Sequence, residues 1–124
     1  MKRVIYKLNN NDDIAAFKEM CASLGIKSKP FKASDIDVPI GSLFGISLKP
    51  GIGQPLSKAP EGYRLPEILV CFGFKDDELD ELLSEYHNRG LSADAFKAVT
   101  TMYNMYWTPY MLVVELTKER NATF

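Results

Sequence analysis

Phe96-Lys97-Ala98-Val99-Thr100-Thr101-Met102-Tyr103-Asn104-Met105-Tyr106-Trp107-Thr108-Pro109-Tyr110 begins as a strand, becomes a loop at Met102 and enters a helix at Thr108-Pro109. The ten residues from Met102 to Met111 hold three Met, three Tyr and the only Trp of the chain. That is too apolar for an ordinary surface loop, so the stretch either fills a core or meets a partner. Thr108 has the hydroxyl of an N-cap, and Pro109 suits the first helical position, where its missing N–H costs nothing. Met111, Leu112 and Leu116 give the following helix an apolar side, to about Arg120.

Working outward, Ile68 to Phe72 reads as an apolar strand. Asp76 or Asp77 is the expected cap of a helix whose Leu79, Leu82, Leu83 and Tyr86 share one face, and Gly90 closes it. Ala93 to Thr101 is the next expected strand. The first part of the chain shows the same order. Lys2 to Leu8 reads as a strand, and Asp12 or Asp13 as a cap. Ile14, Phe17, Cys21 and Leu24 recur at helical spacing, and Gly25 stops the helix. A second strand is expected over Ser28–Ser34, and a short helix over Ile40–Ile46 with Pro39 at its first position.

The two parts match at nearly one interval. A shift of 65 lays Gly25-Ile26 on Gly90-Leu91, Phe31-Lys32-Ala33 on Phe96-Lys97-Ala98, and Ile14 and Phe17 on Leu79 and Leu82. A shift of 64 lays Val4-Ile5-Tyr6 on Ile68-Leu69-Val70, and a shift of 70 lays Val38-Pro39 on Thr108-Pro109. The expected fold is α/β: two pseudo-repeated β-α-β-α halves sharing one core, with a four-stranded mixed sheet covered by helices. Each β-α-β unit makes a parallel pair through a right-handed crossover. The expected organisation is a single domain, with residues 1–48 as the first half and 67–124 as the second. Between them lies a connector over 49–66, where seven of eighteen residues are Gly or Pro.

The 124 residues carry a net charge of −1, which argues against bulk nucleic-acid affinity. Residues 1–32 carry seven Lys/Arg against three Asp/Glu, a net of +4, and residues 67–91 carry two against seven, a net of −5. The plain reading is two solvated faces of opposite sign. No apolar run reaches the roughly 20 residues of a membrane span. The apolar run near the N-terminus is broken by Lys7 and by Asn9–Asp13, so it reads as a strand and not a signal peptide. Cys21 and Cys71 sit in apolar patterns, as reduced thiols of a cytoplasmic protein do.

Lys97-Ala98-Val99-x-Thr101-x-x-Asn104-x-x-Trp107-Thr108, with Leu69-Val70-Cys71-Phe72-Gly73-Phe74 and Leu79-Asp80-x-Leu82-Leu83 before it, resembles a family of small bacterial proteins. That family is catalogued as domain of unknown function 3783. Its pattern is a Leu-Val-x-x-Gly-Phe strand, an Asp-x-Leu-Leu helix, then Lys-Ala-x-Leu-Thr-Pro-x-Asn-x-x-Trp-Thr. The resemblance is strongest over residues 66–120. Asp35-Ile36-Asp37-Val38-Pro39-Ile40-Gly41-Ser42-Leu43-Phe44-Gly45 is similar to an Asp-x-Asn-Gln-x-x-Gly-x-Leu-x-Gly pattern of the longer members. Thr100 replaces the usual Leu, Met102 the usual Pro, and Asp37 and Val38 the usual Asn and Gln. The resemblance implies a location for a site, and no activity.

Lys32 and Lys97 are expected at equivalent positions near the carboxyl ends of strands, where ligands of open α/β sheets bind. With Asp37, Thr101 and Asn104 they form the candidate set for a small anionic ligand. Asn104 equally suits an Asx-turn. Trp107 before Thr108-Pro109 suits a hydrophobic staple. Met102, Tyr103, Met105 and Tyr106 are the candidate interface, because aromatics and Met are enriched in interface cores. One His and two distant Cys make no metal site, and Gly51-Ile52-Gly53 lacks the rest of a phosphate fingerprint. No motif assigns a catalytic residue or a cofactor. The chain therefore reads as a non-catalytic binding or self-associating module, a homodimer first. The alternative is a small-anion sensor or enzyme with its site at the strand ends.

Overall fold

The structure, a computed structural model, describes residues 1–49 and 57–122, except for the Ala122 side chain. Residues 50–56 of the Gly/Pro-rich connector lie outside the described residues. The chain divides into two compact units, Met1–Phe31 with Pro66–Val99, and Lys32–Leu65 with Thr100–Phe124.

The first unit is built from β1 (Arg3–Lys7), α1 (Asn11–Ser23), β2 (Lys27–Pro30), β3 (Ile68–Phe72), α3 (Asp76–Asn88) and β4 (Phe96–Val99). The four strands form one mixed sheet in the order β2-β1-β3-β4. Each β-α-β unit contributes a parallel pair, and β1 and β3 join the pairs antiparallel. On one face Val4, Tyr6, Leu69 and Cys71 pack with Phe17, Met20 and Cys21 of α1 and Leu82 and Tyr86 of α3. Both halves thus share one core. Phe17 links them, its ring 4.9 Å from Tyr6 and 6.2 Å from Tyr86. Ile5, Ile68 and Val70 on the other face are also buried, which accounts for the unbroken apolar run of β3.

The interval of 65 holds from β1 to the end of the first helix. β1 and β3, α1 and α3, and the left-handed Gly25 and Gly90 (φ 70° and 68°) are all related by it. Ile26 N–H donates to Cys21 O, and Leu91 N–H to Tyr86 O, the same helix-ending bond after α1 and after α3. The spacing between the two strands is thus 65 and not 64.

Past that point the spacing changes. Lys27 pairs with Arg3 and Phe96 with Ile68, an offset of 69. Ile26 leads straight into β2, whereas Ser92–Ala95 intervene after Leu91. The Phe-Lys-Ala identity is consequently not a structural equivalence. Lys97 lies inside β4, paired with Leu69. Lys32 lies beyond β2, whose last residue Pro30 pairs with Tyr6.

Other boundaries are corrected by specific groups. Asn10, not Asp12 or Asp13, caps α1, its Oδ1 accepting from Asp12 N at 2.8 Å and Asp13 N at 3.3 Å. At α3 the cap position is Lys75, whose N–H donates to Glu78 Oε1 at 3.0 Å. β2 ends at Pro30 and not Ser34, and β4 begins at Phe96 and not Ala93.

The second unit holds a 3-10 turn (Ala33–Asp35), α2 (Ile40–Leu43), a second 3-10 turn (Asn104–Tyr106) and α4 (Pro109–Ala122). Pro39 caps α2 and does not open it. Thr108 caps α4 as expected, its Oγ1 accepting from Met111 N at 3.2 Å. Among the described residues no helix is long and apolar enough to cross a membrane.

Candidate functional site

The loop from Thr101 to Trp107 is held by its own side chains. Asn104 Oδ1 accepts from Thr101 N at 2.8 Å. Thr101 Oγ1 accepts in return from Tyr103 N at 3.2 Å and Asn104 N at 3.0 Å. Met105 N–H then donates to Thr101 O, and Trp107 N–H to Asn104 O. This reciprocal turn positions Met102 and Tyr103 at its tip, each 80% exposed.

The segment after Lys32 braces this loop from the other side. Ile40 N–H donates to Trp107 O at 2.8 Å. Gly41 is buried where a β-carbon would lie 3.1 Å from the Met105 carbonyl oxygen and 2.9 Å from Leu48 Cδ2. Tyr110 N–H, unsatisfied within the first turn of α4, donates to Ile36 O at 3.4 Å. Tyr63 meets the Tyr110 ring edge-on at 4.9 Å. Burial, and the neighbouring Tyr110 phenol, push the Tyr63 hydroxyl pKa up.

Between loop and helix runs an open groove of about 900 Å³. The loop supplies Met102, Tyr103, Met105, Tyr106 and Trp107, and α4 supplies Tyr110, Met111, Val114, Glu115 and Lys118. Leu112 and Val113 lie on a buried side of α4. The helix is thus apolar on two sides, one buried and one lining the groove. Glu115 and Lys118 pair with each other at 3.3 Å.

The four candidate interface residues therefore come together on one surface. Trp107, read as a staple at the helix start, lines the same groove, as do Tyr110 and Met111. The spacing of Tyr110, Val114 and Lys118 was the available signal for a second helix face.

The five candidate ligand residues are placed differently. Lys97 belongs to the sheet unit and the other four to the second unit. Lys97 Nζ donates to Ala95 O at 3.0 Å and stands 5.0 Å from the centre of the Tyr86 ring. Thr101 and Asn104 satisfy each other. Asp37 Oδ1 accepts from Ala59 N at 2.9 Å. Lys32 is exposed, its N–H donating to Asp35 Oδ2 at 2.8 Å.

One polar cluster of the sheet unit was not singled out from sequence. Glu67 accepts from Ser92 Oγ at 2.6 Å and from Asn9 N at 2.9 Å, and Tyr86 donates to Ser92 O at 2.6 Å. It ties the end of β1 to the loop before β4. Burial first, then the Glu67 and Asp13 charges, push the Tyr86 hydroxyl up to about 12. Burial likewise raises Cys21 to about 11 and Cys71 to about 12, so neither thiol is an activated nucleophile. Among the described residues no group of three or more His, Cys, Asp or Glu could hold a metal ion.

This is a small α/β protein with a mixed four-stranded sheet and a loop–helix groove. Residues 67–122 match the family model described as a domain of unknown function (DUF3783), and this segment of the chain is similar to that family. The matched segment supplies β3, α3, β4 and nearly all of the groove. No curated protein and no solved structure matches the chain.

Proposed function

We propose that this chain is a non-catalytic binding module of the bacterial cytoplasm, and that it meets its partner through the groove between the Met102–Trp107 loop and α4. The observation that carries the reading is the pair Met102 and Tyr103, each 80% exposed at the mouth of a surface lined by five further aromatic or Met side chains. Large apolar groups held out by a self-satisfied turn gain free energy only when something covers them. The engaged polar groups of Lys97, Asp37, Thr101 and Asn104 favour this reading over an anion site. The two buried free thiols suit a reducing compartment.

Self-association is the form of binding to test first. Sedimentation velocity from low to high micromolar concentration is expected to show the wild type passing from monomer to dimer. Tyr103→Ser and Tyr106→Ser should remain monomeric. A wild type that stays monomeric throughout, indistinguishable from both variants, would sink self-association.

A further inference from the structure

We propose that Met102 is a modification site, oxidised reversibly to the sulfoxide by hydroperoxides, and that this oxidation switches off self-association through the groove. The inference rests on the groove being the binding surface and names what regulates it.

The sulfur of this chain is divided by access. Cys21, Cys71 and Met20 are buried in the core, so the two thiols do not intercept an oxidant from solvent. Of the five methionines, three line the groove. Met105 and Met111 are half-buried there, whereas Met102 stands 80% exposed at the mouth. Met1 is equally exposed, but it belongs to the sheet unit and does not line the groove.

A thioether has no proton to lose, so access to the sulfur governs its reaction and no activating base is needed. The Met102 sulfur attacks one oxygen of the hydroperoxide, and the O–O bond breaks as the S–O bond forms. With hydrogen peroxide, the transferred hydroxyl gives its proton to the departing hydroxide, leaving sulfoxide and water. Sulfur loses two electrons and the peroxide gains them. The product is polar where an apolar group stood, and sulfoxide reductases reverse it.

The change falls on the contact surface and not on its support. The bonds that hold the turn run between Thr101, Tyr103, Asn104 and Met105, and none uses the Met102 side chain. A sulfoxide oxygen covered by an apolar partner surface loses its water without gaining a donor. Association should weaken by roughly 10-fold or more.

The test treats the full chain with hydrogen peroxide at low micromolar concentration, maps the oxidised peptides by mass spectrometry, and follows association by sedimentation velocity. Met102 should oxidise ahead of Met105 and Met111, with Met20 and both thiols unmodified. The oxidised chain should be monomeric where the wild type is dimeric, with unchanged far-ultraviolet circular dichroism. Reduction by the two epimer-specific sulfoxide reductases should restore the dimer. Met102→Leu keeps the apolar area and still oxidises at Met1, so it should associate before and after peroxide alike. Met102→Gln, polar and uncharged, should associate as weakly as the oxidised chain.

A dimer that persists with Met102 fully oxidised overturns this inference alone. So does a loss of association that Met102→Leu shares, or one that the reductases do not reverse. A wild type that is monomeric before any peroxide is added overturns self-association through the groove together with its proposed switch.

Discussion

Ile5 lies opposite Val70 at the centre of the sheet, in the antiparallel pair that joins the two halves. The two are 65 residues apart, as are Gly25 and Gly90. Residues equally far from Ile5 and Val70 exchange places across this pair, so the register itself has a local twofold. The two glycines end α1 and α3 in the same left-handed conformation, and neither has an atom within 4 Å of where a β-carbon would sit. Gly25→Ala and Gly90→Ala should therefore cost the same, about 1 to 2 kcal/mol of backbone strain alone. Gly73→Ala should cost more, because its β-carbon would also strike the Met1 carbonyl. Urea denaturation of the three variants measures this, and unequal costs for Gly25 and Gly90 would count against equivalent helix ends.

The thiols should be inert in the folded protein. Cys21 and Cys71 are buried, with pKa values pushed to about 11 and 12 from an ordinary 9.0. Reaction with a disulfide reagent near pH 8 should then wait for opening of the core, and run at least about a thousandfold slower than in urea. The sign for stability follows. A thiol kept neutral by burial stabilises fully below its unfolded pKa, and this contribution is lost as pH rises from about 9 toward 11 to 12. Tyr86, raised to about 12, acts in the same direction. Urea midpoints at rising alkaline pH should fall, and Cys21→Ala should fall less steeply from its lower start.

Glu78 should act at the acid end. Its pKa is lowered, first by the Lys75 N–H that its carboxylate accepts and then by Lys2, whose Nζ stands 3.5 Å from Oε2. A depressed carboxyl contributes stability above its unfolded pKa, and that contribution is lost as pH falls through the lower folded value. Glu78→Gln keeps an acceptor for Lys75 and loses the ion pair, so it should be destabilising at pH 7 and indistinguishable from wild type once Glu78 is protonated. Glu78→Ala loses both and should remain less stable at every pH. A Gln variant whose deficit persists in acid would show that the charge is not what matters.

How much of this was legible depends on which force set each feature. β3, α3 and the Thr108-Pro109 helix start were readable because burial and capping act through neighbours in sequence. The antiparallel join of β1 to β3 was compatible with the repeat but not dictated by it, since strand pairing depends on distant residues. Phe31-Lys32-Ala33 misled because identity at one interval says nothing about the four residues Ser92–Ala95 that shift β4. The candidate interface residues do line one groove. Trp107 was assigned to the helix start, and the contribution of α4 was missed, because its apolar residues occupy two sides and no single stripe stands out. The bracing by Ile36, Ile40 and Gly41 joins segments some seventy residues apart and left no local trace.

That brace gives the sharpest test of how the groove is held. Gly41 has ordinary backbone dihedrals, so a substitution there is limited by space and not by strain. A β-carbon would meet Leu48 Cδ2 at 2.9 Å, which can swing away, and the Met105 carbonyl at 3.1 Å, which is backbone and cannot. Gly41→Ala should therefore push the Asn104–Tyr106 turn outward and cost about 1 to 3 kcal/mol, as overpacking does. Because Ile40 N–H holds Trp107 O, the displacement should also reach the indole. Trp107 emission should shift and its quenching by acrylamide change, even where the chain remains folded by far-ultraviolet circular dichroism. Ser42→Ala, one residue on and exposed, should change neither. A Gly41→Ala variant with unaltered stability and unaltered Trp107 emission would mean that the loop and α4 hold the groove without the segment that precedes them.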